Sequence, residues 1–587
     1  MAGSKAPDNP ALRARARSRP THRVNPMPPS AVRFSLLGAV AAVALALSAY
    51  LVALNSDHAA TNGDELLYAQ MTFATAQAGH WLPLQTMIEH HRNTKPPGLF
   101  WQGLVSTDWA QHWSLWNLRW PSVAYTLATA LMVFLLGRKL SGHASTGLLA
   151  ALVYLSFFGV YRYGRVFLTS APETFWLFAP FFVLLLWRPR AGGLTWPLAA
   201  AFGLMVGAAL LYKSFALVLP ATAGLAWWTL HQRGYRLVDW LRQDAPKIVL
   251  TGILALGVFS LWYVLDPQRH LLVQDFILRE NLGKFDAGER NYFLNLLWGE
   301  ASVWRNLISY PFNAGLLAPA LLAAFVISWL RRRELTADEK LLWTWIGTVI
   351  VVFTLPNQRD ERYLLPAMPA IAILLALRWT AIPRWVMSIS LAAVAVIALG
   401  LGLGAILLSV QAGVGRLYPL VFWLIIGATM GLAAAALFRA DLTHRMTCAA
   451  ILLLYLCYAA FLLPFDGPRG AFDRGAADFV RGKSYAAPIN FNAREEIYRF
   501  MLPGSDPRPY HVNDRIPLET LKAENAVFIV TLPLDDRTIE DSPDLRIIGT
   551  RLQLIDRFRP DETMDMLRGN VARNLFKKDL LVEVVKP

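Results

Sequence analysis

Cysteine is almost absent from this chain, which has two in 587 residues, Cys448 and Cys457. Both fall inside one apolar run, so no disulfide framework and no cysteine-based zinc site is available. Charge is scarce too. Asp, Glu, Lys and Arg make up 17% of the residues, where a soluble protein has about a quarter. Acids are the scarcer sign, 41 against 56 bases, leaving a net charge of +15. A surplus of that size would suit nucleic acid. Here much of it lies in short segments flanking apolar runs, the positive-inside pattern of a polytopic membrane protein. Two further things are missing. The chain has no internal repeat of the kind that builds many transporters, and no Gly-rich phosphate loop of the Walker or Rossmann type.

What is present is a long series of apolar runs. Hydrophobic residues make up 55% of the chain, and thirteen spans are expected at about 34–54, 120–137, 144–160, 173–187, 195–211, 215–229, 248–265, 312–330, 341–356, 363–378, 384–408, 417–437 and 447–464. Residues 1–33 read as a disordered basic cytoplasmic tail, and 34–54 as a retained signal anchor. With the N-terminus inside, the inner loops carry Arg138–Lys139, Arg188 and Arg190, then Arg233, Arg236, Arg242 and Lys247. Arg331–Arg332–Arg333, Arg378 and Arg384, and Arg439 and Arg445 continue the series. An odd number of spans puts residues 466–587 outside, where their composition reads as a small α/β domain. Helices are expected there at 472–481 and 493–500, and strands at 526–531, 551–556 and 580–585. The expected fold is therefore an all-α polytopic membrane protein with a small C-terminal α/β domain.

Some outer loops break the charge bias. Two are large, 55–119 and 266–311, and "YRYGRVFLTSAPE" and "PNQRDER" are short but charged. Together they place Lys95, Arg162, Arg165, Arg279, Lys284, Arg359 and Arg362 on the outer face, with Lys213 at a span end on the same side. Each has a bland reading: Lys213 as a snorkelling lysine, residues 359–362 as a self-neutralising cluster, the rest as lipid-headgroup contacts. Their convergence from five loops instead suits a phosphate carried on a lipid. Asp64 and Glu65 follow the first span; they suit either a capped helix start after Asn62 or chemistry. In "NTKPPGLFWQG", Pro96 and Pro97 lead into a helix opened by Leu99–Phe100–Trp101. Glu89, His90 and His91 are weak candidate ligands for a divalent metal, since no third spaced ligand accompanies the histidine pair.

The motifs in combination are more specific. "DELLYA" follows the first span and "KPPGLF" comes about thirty residues later. "RVFLTSAPETF", "YKSFALVLP", "ILRENLGKF" and "RYLLPAMPA" follow in order. This pattern resembles the GT-C membrane glycosyltransferases, and most of all the bacterial lipid A aminoarabinose transferases and protein O-mannosyltransferase-like enzymes. The resemblance covers residues 34–465 and reaches the C-terminal domain by architecture alone. It implies a catalytic membrane domain in a bacterial inner membrane that moves a sugar from a polyprenyl-phosphate donor at the periplasmic face. The acceptor would be a lipid A-like lipid, a glycan or a protein. It also implies that Asp64 is the catalytic acid of the first loop with Glu65 beside it, and that Lys95 is the lysine of a Lys-Pro-Pro motif. Lys213, Arg362 and Tyr363 would contact the donor phosphate, and Glu280 and Lys284 match the second large loop; Arg165, Arg279 and Arg359, from the converging loops, and Glu173 are further expected binding residues. Two positions depart from the aminoarabinose pattern. Thr94 stands where relatives have Glu, and Ser170 where they have Asp, with Glu173 just after Pro172.

The chemistry follows from the residue types. Lys95, Lys213 and Arg362 would neutralise a leaving polyprenyl phosphate, and Asp64 would take the proton from a hydroxyl acceptor. No second acid is placed as a covalent nucleophile, so single-step inversion is expected. The rival class is a flippase for a lipid-linked sugar, which would bind the same headgroup without chemistry.

Overall fold

The computed structural model describes residues 33–585, apart from 59–62, 88–94, 188–192, 275, 277, 279–291, 300–301, 357–358, 412–416, 468, 490–495, 512–515 and 555–559. Glu89, His90, His91, Thr94, Arg279, Glu280 and Lys284 lie outside the described residues. Each of the thirteen expected spans falls on a helix. By length and composition, 8 of the described helices are able to cross a membrane, among them Leu115–Ser141, Ser170–Trp187, Glu361–Ala381 and Ala440–Phe465. Leu36–Leu51, Ala144–Ser156 and Trp196–Tyr212 are apolar but shorter. The remaining two runs correspond to Val218–Gln232 and Ala337–Thr354.

Local chemistry sets the helix ends. Ser114 caps Leu115–Ser141 by accepting from the Asn117 amide, and Gly142, at φ 77°, ends it with Arg138 and Lys139 in the last turn. Lys139 Nζ donates to the carbonyl oxygens of Leu185 and Leu186. A capping box of Thr336 and Glu339 starts Ala337–Thr354, and the same Glu339 receives Arg378. Arg119 lies at the opposite end of its helix from Lys139, about 30 Å away by helical rise.

The first large loop is ordered into two helices. Gly63–Ala78 carries Asp64 and Glu65 in its first turn, and Gly98–Ser106 follows Pro97 as its N-cap. The helix expected after the two prolines is thus present. Gly98 is there for contact: a Cβ would stand 2.7 Å from the backbone oxygen of Leu211. The KPPG loop therefore packs directly on the helix end that presents Lys213. Replacing Gly98 by Ala should cost about 1–3 kcal/mol through overpacking against backbone. It should also push the loop off Leu211, read as a lower thermal midpoint in detergent.

The C-terminal domain contains a mixed five-stranded sheet in the order β2-β1-β3-β5-β4. Its strands are β1 Ser484–Ile489, β2 Asp506–His511, β3 Val527–Pro533, β4 Leu545–Leu554 and β5 Phe576–Val584. β1 pairs in parallel with β2 and β3, while β5 runs antiparallel to β3 and β4. The three expected strands are β3, β4 and β5, and the two expected helices are Arg474–Val480 and Glu496–Met501. β1 and β2 escape the sequence reading because prolines interrupt both. Pro507 and Pro509 are tolerated because β2 is the edge strand. The domain is pinned internally by Asp579, which is fully buried and accepts from Tyr498, Thr531 and Arg551.

Candidate active site

Four chain segments meet at one end of the helix bundle. The first is the start of Gly63–Ala78, where the helix dipole favours the Asp64 carboxylate. The second is the 3-10 helix Glu361–Ala367, capped by Asp360, whose side chain accepts from the Arg362 amide at 3.0 Å. This cap also fixes the guanidinium: Arg362 Nε lies 3.3 Å from Asp360 Oδ2, while Nη1 donates to Asp64 Oδ2 at 3.0 Å. Arg362 therefore bridges two carboxylates from segments about three hundred residues apart. The Asp64 side chain keeps 39% exposure, so it remains open to a partner from outside.

The third segment is the C-terminal end of Trp196–Tyr212, where Lys213 is the C-cap. Its Nζ donates to Glu173 Oε2 at 2.8 Å and Oε1 at 3.1 Å, and sits 4.3 Å from the centroid of the Tyr363 ring. Glu173 is buried in the first turn of Ser170–Trp187. Desolvation pulls the Lys213 ammonium below its usual range, and the Glu173 carboxylate opposes that shift. The fourth segment is the KPPG loop, whose Lys95 lies within electrostatic range of the Tyr363 phenol. Tyr212 closes the gap behind, donating to Gln102 of Gly98–Ser106 at 3.2 Å. Asp64, Lys95, Glu173, Lys213, Arg362 and Tyr363 are thus gathered around one spot, as expected from their loops.

Three expected members are placed elsewhere, for reasons visible in their partners. Glu65 faces inward and receives both Nε and Nη2 of Arg119, at 2.6 and 2.8 Å, plus the Phe167 amide at 2.8 Å. Nη1 of the same Arg119 donates to the carbonyl oxygens of Leu54 and Ser56. Both side chains are almost fully buried, so Glu65 ties the first loop to the bundle and has no face left for chemistry. Arg165 donates to the carbonyl oxygens of Tyr50 and Val52 and to the Tyr161 hydroxyl, which makes it a cap for the end of Leu36–Leu51. Arg359 donates twice to the Thr354 carbonyl oxygen at the end of Ala337–Thr354. The self-neutralising reading of residues 359–362 holds for the Asp360–Arg362 pair. Arg359 goes to Thr354, and Glu361 accepts from the Tyr163 hydroxyl at 2.8 Å.

Sequence reasoning missed the Asp360 cap on the Arg362 amide, though it grouped Asp360 with Arg362, and it missed Arg119 as the partner of Glu65. The "RDER" string held the first signal, an acid two residues before an arginine at a span start. Arg119 gave its own signal, a lone arginine beside the beginning of an apolar run.

Comparison with known proteins places this arrangement. Residues 35–271 match the family model described as dolichyl-phosphate-mannose-protein mannosyltransferase. The structure of ArnT from Cupriavidus metallidurans in the apo state superposes with a TM-score of 0.58, covering 93% of this chain and 98% of that one at 14% identity. The form of that ArnT bound to undecaprenyl phosphate gives 0.59, with coverages of 93% and 99% at 15% identity. The chain has the ArnT fold. In sequence, the arabinosyl transferase 2 of Proteus mirabilis, named for undecaprenyl phosphate-alpha-4-amino-4-deoxy-L-arabinose, is 25% identical over 356 residues, or 59% of this chain and 60% of that protein. Its counterpart in Pectobacterium carotovorum is 25% identical over 329 residues, or 53% and 54%. The chain thus spans 54–60% of the length of these two curated relatives.

Proposed function

We propose that this chain is a glycosyltransferase that takes a sugar from a polyprenyl-phosphate donor and delivers it, with inversion, to an acceptor at the periplasmic face of a bacterial inner membrane. The observation that carries the reading is the Asp64–Arg362 ion pair at 3.0 Å, set beside the Lys213–Glu173 pair and Tyr363. The same reading takes all thirteen helical runs as crossings, puts the N-terminus in the cytoplasm, and makes residues 34–465 the catalytic domain, with 466–587 a periplasmic domain. The undecaprenyl phosphate held by an ArnT of the same fold supports a donor of that chemistry.

In this reading the site as it stands is balanced, with Asp64, Glu173 and Asp360 against Lys95, Lys213 and Arg362. A donor phosphate entering it competes with Asp64 for the Arg362 guanidinium. Its arrival therefore neutralises the leaving group and releases the Asp64 carboxylate in one exchange. Arg362, Lys213 and Lys95 then stabilise the charge that grows on the phosphate as the C1–O bond breaks, in surroundings poor in water. Asp64, open on one side, takes the proton of an acceptor hydroxyl as its oxygen bonds to C1. Glu173 supplies the counter-charge that keeps Lys213 protonated in a buried place. It stands one turn after Ser170, where relatives carry Asp, so the acid is displaced along the helix.

An apolar cavity of about 640 Å³, which shares no lining residue with the donor-phosphate cluster and has His58 in its wall, suits a lipid-like molecule. It is lined by Phe158, Tyr161, Leu401, Leu454 and Tyr455, with Arg162 as its guanidinium, one residue before the Tyr163 that holds Glu361.

The test is direct. Purified protein, a polyprenyl-phosphate sugar and a membrane lipid extract are incubated and followed by mass spectrometry. A hexose- or pentose-sized gain on a lipid, glycan or protein is expected, and donor translocation without any product would replace the reading with a flippase. Within that assay, Lys213→Ala should raise the donor KM about 10- to 100-fold, the value of one charge-assisted contact. An unchanged KM would take Lys213 off the donor.

A further inference from the structure

Outside the candidate active site, one cluster of ligand-type side chains joins the membrane domain to the C-terminal domain. Asp57 and His58 follow the first helix, Leu36–Leu51, and Asp466 follows the last, Ala440–Phe465. His58 Nδ1 lies 2.9 Å from Asp57 Oδ1 and 3.0 Å from Asp466 Oδ1. One donor atom from each of the three residues falls within 4.8 Å of the others. The Asp57 and His58 side chains are each 9% exposed.

Hydrogen bonding leaves this cluster unfinished. Asp466 Oδ1 receives the Asp57 amide at 3.3 Å and faces the imidazole, yet Asp466 Oδ2 is buried with no hydrogen-bond partner. A single Nδ1 proton can satisfy one of the two carboxylates it faces, not both. Arg551 stands 3.7 Å from Asp57 and is already committed to the buried Asp579 at 2.7 Å.

We infer that Asp57, His58 and Asp466 form a binding site for a divalent transition ion, zinc by donor chemistry, that clamps the C-terminal domain to the first and last membrane helices. One imidazole nitrogen with carboxylate oxygens and no thiolate is a zinc-type set, whereas magnesium and calcium take oxygen alone. Ligand atoms on a tetrahedral zinc stand about 3.3 Å apart for bonds near 2.0–2.1 Å; here the imidazole nitrogen stands 2.9–3.0 Å from an oxygen of each aspartate, and all three donor atoms lie within 4.8 Å of one another. The ion gives the buried Asp466 Oδ2 a partner. Three protein donors leave a fourth position for water. The site is separate from the donor-phosphate cluster and does not depend on the function proposed above.

The test uses the full chain purified in detergent, stripped with chelator and titrated with zinc chloride. One zinc per chain is expected to remain after desalting, with retention lowered at least tenfold in His58→Ala and in Asp466→Asn. The His90→Ala/His91→Ala double variant should keep its zinc. X-ray absorption of the zinc-loaded wild type should show one imidazole nitrogen among oxygen ligands, which decides the matter even if a variant fails to fold. No stoichiometric zinc in the wild type, full retention in His58→Ala, loss in the His90/His91 variant, or two imidazoles in the spectrum would each overturn the site.

Discussion

Replacing Asp64 by Asn is expected to lower turnover with a hydroxyl acceptor by about 10²–10⁴-fold, the usual worth of a positioned general base. The protein itself should stay folded. Asp64 is on the first turn of Gly63–Ala78 and its side chain is 39% exposed, so its replacement leaves no buried charge. The asparagine oxygen still accepts from Arg362 Nη1, which now sits 3.0 Å from Asp64 Oδ2. What the amide cannot do is take a proton. It also holds the guanidinium less tightly than a carboxylate does, so donor phosphate should win Arg362 more easily. The signature is therefore a collapse in kcat with a donor KM that is unchanged or lower, measured with a thermal midpoint within about 1 °C of the wild type, since surface changes cost little. Near-normal kcat would show that the acceptor needs no base, as for a phosphate acceptor, and would leave Asp64 a positioning group.

The same pair of residues shows what the sequence could and could not reveal. Apolar period and length are properties of single segments, so all thirteen runs were found on helices, and the KPPG turn with its helix was legible from the two prolines alone. The convergence of Asp64, Lys95, Lys213 and Arg362 was expected from topology, because loops at the same end of a bundle share one face. Which way a side chain turns is different. Asp64 and Glu65 are adjacent, but on a helix successive residues point about 100° apart, so one meets Arg362 at the surface and the other meets Arg119 inside. Arg165 and Arg359, expected as further binding residues, turn to helix-end carbonyl oxygens for a related reason: an arginine near a helix end often caps carbonyl groups, and those carbonyls are invisible in a residue string. The Asp57–His58–Asp466 cluster was hidden by distance, since Asp466 lies over four hundred residues from the other two.

Glu65 should be the residue whose loss costs most in stability. Glu65→Ala leaves the Arg119 guanidinium buried without its bidentate partner, and breaking one side of a buried ion pair costs about 3–5 kcal/mol. The Phe167 amide, which now donates to Glu65 Oε1 at 2.8 Å, loses its acceptor as well. The expected result is a large fall in thermal midpoint or failure to accumulate in the membrane. Glu65→Gln tests the charge separately: its carbonyl oxygen can keep the Phe167 bond and one bond to Arg119, so an intermediate loss is expected. Removing both partners, as in Glu65→Leu with Arg119→Met, should recover part of the loss by deleting the unpaired charge. It should not recover all, because Arg119 Nη1 also serves the Leu54 and Ser56 carbonyl oxygens at 2.9 and 2.6 Å. Those carbonyls lie in the turn after the first helix, which leads to Asp57 and His58, so the double variant should also loosen the joint to the C-terminal domain. If instead Glu65→Gln folds and melts like the wild type while turnover falls as far as in Asp64→Asn, the acid at 65 belongs to the chemistry after all, and its buried pairing with Arg119 is a resting arrangement that substrate undoes.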